Sequence, residues 1–96
     1  MKTKTTPIDP VIQAKAIAHI GEERQRQQRK WGEQNHDMPT WLCILHEETG
    51  ELSEAVLHRK FGGPEAMGEL QEAVQVAAVA LQIVEFLLRR GGNGQP

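Results

Sequence analysis

The chain lacks tyrosine altogether and has a single cysteine, Cys43, among 96 residues. An intrachain disulfide is therefore excluded, as is a zinc site built from clustered cysteines, and a reducing cytoplasm is the expected compartment. No apolar stretch follows the lysines of "MKTKTTPIDP", so these residues do not read as a secretory signal. The longest apolar run, Val76 to Leu88, is broken by Gln82 and Glu85, and no membrane span is expected. Basic charge is not in excess: the net charge of -2 argues against a nucleic-acid binder, which needs a positive surface. Although "ERQRQQRK" is locally basic, Glu22 and Glu23 interleave with it. Segments of alternating polarity and internal repeats are absent. So are a Ser-His-Asp arrangement and a phosphate-cradling loop, since "GGP" is not followed by the Lys-Ser/Thr of a P-loop.

What is present is helix. The patterning predicts an all-α single domain spanning 1–96, a bundle of three long helices with flexible tails at 1–8 and 91–96. The first helix begins after Pro10, with Asp9 as its cap, and runs toward Lys30. Its opening half, "VIQAKAIAHI", is apolar enough to pack, whereas "GEERQRQQRK" is polar on every side. A loop over "WGEQNHDMPT" leads to a second helix from near Pro39, with Asp37 or Met38 outside it, to near Phe61. "FGGPE" stops it, and a third helix runs from about Pro64 to Arg90.

At about 100° per residue, the third helix carries two apolar stripes. Val76, Val79, Ile83 and Phe86 form one; Leu70, Val74, Ala77, Leu81, Val84 and Leu88 form the other. A helix apolar on two faces has to be covered on both, so a second copy of the chain is expected over one of them, in a homodimer or homotetramer.

The stretch "LHEETGELSEA" holds four glutamates in eleven residues without a lysine or arginine. Like charges three or four apart on a helix cost about 0.2–0.5 kcal/mol per pair. Projection places Trp41, Leu45, Leu52 and Val56 on one side, with Glu48 inside that sector and Glu51 at its margin. Glu47 and Glu54 turn toward the polar side, while Glu72 falls in the middle of the first stripe of the third helix. Glu48, Glu51 and Glu72 thus point at or near the core. Unpaired buried carboxylates are costly, and a hard divalent cation with oxygen ligands, Mg²⁺ or its substitute Mn²⁺, is the economical partner. The bland alternative is a solvated acidic face, which suits Glu54, Glu65 and Glu85.

"HEETGEL" also resembles the Glu-Glu-x-x-Glu motif, with its Gly-Glu-Leu continuation, of the MazG-like all-α nucleoside triphosphate pyrophosphohydrolases, and "KWGEQNH" is similar to a segment of the small MazG-like proteins of phage and bacterial genomes. The resemblance extends from about Glu22 to Glu85. It implies a four-helix-bundle core completed by dimerisation, and Mg²⁺-dependent cleavage of a nucleoside triphosphate to monophosphate and pyrophosphate. Glu48 and Glu51 would be metal ligands, with Glu47 the leading acid of the motif and a base or supporting partner. Glu72 matches the Glu of a second Glu-x-x-Asp motif, where Gln75 replaces the Asp and implies weaker metal binding. Reading Glu69-x-x-Glu72 instead would restore two acids; the Glu72/Gln75 register is favoured by the small apolar run after it. The departure also motivates an alternative, a catalytically weak relative that binds nucleotide or a partner protein.

Candidates for the phosphates are Arg24, Arg29 and Lys30, and for the base Trp31, Gln34, Asn35 and His36. Stacking on an aromatic ring is worth about 1–3 kcal/mol per base, and Trp31 is the expected platform, since Trp41 lines up with Leu45 and Leu52 as core.

Overall fold

The structure, a computed structural model, describes residues 5–63 and 68–91. They form three helices, α1 (Pro10–Trp31), α2 (Met38–Phe61) and α3 (Glu69–Arg89), with no strand among the described residues. The chain is all-α.

Local chemistry sets the helix ends. The Asp9 carboxylate accepts hydrogen bonds from the backbone N–H groups of Val11 and Ile12 at 3.0 and 3.2 Å, with Pro10 at the first helical position. Asp37 caps α2 in the same manner, accepting from the Thr40 N–H at 3.0 Å. Gly32 and Gly62 end α1 and α2 at φ 71° and 81° with extended ψ, backbone conformations open essentially to glycine alone. Of the two residues expected just outside α2, Asp37 is outside and Met38 is its first residue, and α1 continues to Trp31. The expected start of the third helix at Pro64 lies outside the described residues, as do Glu65 and most of the two tails.

α3 is the central element. It packs against α1 and against α2, which do not pack on each other. By length and composition alone α3 is apolar enough to cross a membrane, but it holds Glu72, Gln75 and Gln82 buried. The first apolar stripe faces inward: Val79 and Phe86 are buried, and Val76 and Ile83 half-buried. Trp41 of α2 is the one large side chain that is fully enclosed among the described residues, and its ring meets that of Phe86 at 6.1 Å. The opposite stripe is open at Leu70, Val84 and Leu88, which are 66%, 51% and 67% exposed.

α1 reverses the expected division of labour. Its apolar opening half is exposed from Val11 to His19, and its polar second half makes the contact with α3. The physical reason is polar pairing across the interface. Gln27 accepts from the Gln82 side-chain amide at 2.7 Å with both residues buried, and Arg24 forms a multidentate ion pair with Glu85, 2.7 Å at its shortest. Glu85 is therefore a structural partner rather than a solvated surface acid. With α1 extending past its support, the Cα radius of gyration is 15.9 Å, above the roughly 13 Å of a closed domain of about 100 residues.

Candidate functional site

Because α1 and α2 both pack on α3 rather than on each other, they leave a cleft of about 780 Å³ between them. Gln75, Val79 and Gln82 of α3 form its floor. α2 contributes Trp41, Ile44 and Glu48; α1 contributes Glu23, Arg26, Gln27, Lys30 and Trp31. The loop between them adds Gln34 and His36.

Glu48 links this cleft to an acidic junction of two helices beside it. Glu48, Glu51 and Glu72 each place a carboxylate oxygen so that the three lie within 4.8 Å of one another. Helical geometry accounts for the first two, three residues apart and so on one face of α2. Glu72 comes from the first turn of α3. Glu72 is only 6% exposed, and one oxygen each of Glu48 and Glu72 is sealed from solvent with no hydrogen-bond partner. Burial, then the neighbouring Glu51 and Glu72, pushes the Glu48 carboxyl above the ordinary range. Burial, followed by Glu51 and Glu54, does the same to Glu72. Among the described residues no cation pairs with the trio. The nearby basic groups are engaged elsewhere: Arg59 with Glu69, and Arg26 with Glu23 at 2.7 Å. Three hard oxygen donors with unused lone pairs make an arrangement that accepts protons or a small cation.

Glu47 is exposed and does not join the trio. Gln75 is buried and lines the cleft. The pairing of Glu69 with Arg59 takes Glu69 out of the alternative register, leaving Glu72 as the α3 carboxylate at the junction.

The candidate ligand-binding residues separate by position. Lys30, Trp31, Gln34 and His36 all line the cleft. Trp31 is 61% exposed there, with Lys30 Nζ 5.0 Å from its ring centroid. His36 contacts Gln34 at 2.7 Å and sits edge-on to Trp41 at 5.0 Å. Arg24 is not on the cleft, because Glu85 and Gln28 hold its guanidinium. Arg29 lines a separate hollow of about 720 Å³ between α1 and the start of α3. Asn35 accepts from Arg89, which also donates to the Gln34 carbonyl, so the C-terminal end of α3 anchors the loop.

Four residues of the site were not legible from the sequence. Arg26 supplies the cleft cation expected of Arg24, while Glu23, Gln27 and Gln82 line the same space. The sequence signal for Glu23, Arg26 and Gln27 was only their i, i+3 and i, i+4 spacing along one helix, and for Gln82 only its break in the apolar run of α3.

Comparison of the chain with protein-family models, with curated proteins and with solved structures gives no match.

Proposed function

We propose that the chain is an Mg²⁺-dependent nucleotide pyrophosphohydrolase of MazG-like type, which hydrolyses a nucleoside triphosphate to the monophosphate and pyrophosphate. The observation that carries this reading is the meeting of Glu48, Glu51 and Glu72, two of them with enclosed, unpartnered oxygens, beside a cleft that Glu48 lines and whose other wall bears Arg26 and Lys30. The donor set suits a hard divalent ion that keeps several waters and shares phosphate oxygens. Glu48 and Glu51 are proposed ligands from α2 and Glu72 from α3, with the Gln75 carbonyl oxygen as an uncharged neighbour. Bound there, Mg²⁺ supplies Lewis-acid polarisation of a phosphate and a more acidic water.

The residues of the chain do the rest. Lys30 and Arg26 offset the negative charge of the outer phosphates. Trp31 offers an exposed ring for the base, and Gln34 and His36 polar contacts beside it. Glu47, on the solvent side of α2, is a proposed base or supporting carboxylate for the attacking water. Attack of that water on phosphorus breaks the α–β anhydride, and its proton leaves through the carboxylate.

The open stripe at Leu70, Val84 and Leu88, with Val11, Ile12 and Ile17 exposed on α1, supports a homodimer or homotetramer. A cytoplasmic setting agrees with the lone Cys43 and with the substrate class. The buried carboxamide at Gln75 favours one second reading, nucleotide binding with little turnover. Pyrophosphate release with Mg²⁺ across a nucleotide panel decides: binding without release establishes the second reading, and absence of both removes the first and second together.

A further inference from the structure

The polar chain that joins α1 to α3 along the cleft has a direction. Arg26 donates from Nε and Nη2 to the two Glu23 oxygens at 2.9 and 2.7 Å. Guanidinium has no acceptor, so Glu23 receives. Its hydrogen bond from Arg26 holds the Glu23 carboxyl below the usual range, so it is ionised and cannot donate. Gln27 must therefore turn its amide nitrogen toward Glu23, and Nε2 donates to Oε2 at 3.2 Å. That leaves Gln27 Oε1 facing α3, where it accepts from Gln82 Nε2 at 2.7 Å. Flipping either amide would set oxygen against oxygen, or nitrogen against nitrogen, in a buried place. The charge on Glu23 thus orients two carboxamides in series. Gln82 commits its nitrogen to this chain, and its carbonyl oxygen is the end of the chain available to a ligand. All four residues line the cleft that holds Trp31.

We propose that Gln82 Oε1 reads the base of the nucleotide, selecting one with an exocyclic amino group, such as cytosine or adenine, over one with a carbonyl in that place, such as uracil or hypoxanthine. The inference rests on the nucleotide reading above. An amino group donates to the fixed oxygen, whereas a carbonyl confronts it with a second acceptor. An unconstrained glutamine would rotate to rescue that contact; here rotation breaks the bond to Gln27 and is opposed by Glu23. A site built around a hydrogen bond discriminates strongly against an analogue that cannot make it. Glu23 and Gln27 act as positioning residues, and Gln82 as the group that touches the base.

The test is equilibrium binding of the α,β-methylene analogues of CTP, UTP, ATP and ITP with Mg²⁺ present. The wild-type chain should favour CTP over UTP, and ATP over ITP, by at least about tenfold. Glu23→Gln removes the charge that sets the direction, so the ratio should fall toward one, largely through tighter UTP binding. Gln82→Met removes the acceptor and should flatten the ratio as well, through weaker CTP binding. If Gln82→Met does not fold, Glu23→Gln at the half-buried α1 position still decides. Equal affinities for all four analogues in the wild type would overturn the base assignment and leave the nucleotide reading standing. So would a preference that survives Glu23→Gln. Absence of binding to any of them would overturn both.

Discussion

Glu48 and Glu72, from two successive helices, bring carboxylate oxygens within 4.8 Å of each other, and each keeps one oxygen enclosed without a partner. No protein cation forms an ion pair with either carboxylate among the described residues, and Arg26, which interacts with Glu48 at longer range, is held by Glu23, so the relationship costs stability unless a proton or an ion joins it.

Metal binding should therefore stabilise the fold. The thermal midpoint should rise with Mg²⁺ or Mn²⁺, by mass action on the folded state. Glu72→Gln should abolish most of that rise. A calorimetric titration in which wild type and Glu72→Gln behave identically would remove the metal from the junction.

The pH dependence of the metal-free protein has a definite sign. Unfolded glutamates release their protons at about pH 4.3, whereas burial raises the folded-state pKa of Glu48 and Glu72. Their contribution is fully present below the unfolded value and is lost as pH rises through the folded values. With chelator present, Glu72→Gln should then be more stable than wild type at pH 7, and the gap should close as pH falls toward 4. Denaturation at several pH values measures it; a gap that widens toward acid contradicts the assignment.

Gln75→Asp introduces a fourth carboxylate beside the junction. Metal affinity should increase, and pyrophosphate release with it, if Gln75 stands next to the bound ion. Without metal, the same substitution should lower the thermal midpoint by added repulsion. Unchanged metal affinity would place Gln75 outside the ligand set.

Trp31→Ala should weaken nucleotide binding by about 1–3 kcal/mol, the worth of one stacked base, with little loss of helix. The ring is 61% exposed, so few intrachain contacts depend on it. Circular dichroism and binding measured on one sample separate the roles: unfolding without a separate binding defect would make Trp31 a packing residue.

Sedimentation mass at micromolar concentration should be at least that of a dimer. Val84→Glu together with Leu88→Glu puts charge on the open face of α3 and should shift the mass toward monomer. A folded wild-type monomer would leave that face to another partner.

Three helices, the Asp9 cap and the inward aspect of Glu48 and Glu72 were legible in the sequence, because each depends on residues within a turn or two of one another. Periodicity also distinguished Trp41, enclosed in the core, from Trp31, exposed at the helix end. The tertiary structure alone decided how the faces of α1 meet α3. Hydropathy favoured its apolar opening half, yet Arg24–Glu85 and Gln27–Gln82 bring the polar half to α3. Pairing of this kind depends on the rotation and axial offset of one helix against another, which the spacing along a single helix does not contain. The same geometry gave Arg24 to Glu85 and left Arg26 on the cleft, and it drew Glu69 to Arg59 while Glu72 joined Glu48 and Glu51. Sequence determined which residues carried charge on each helix, and the packing of α1 and α2 on α3 determined which of those charges were paired and which, at Glu48 and Glu72, kept an oxygen without a partner.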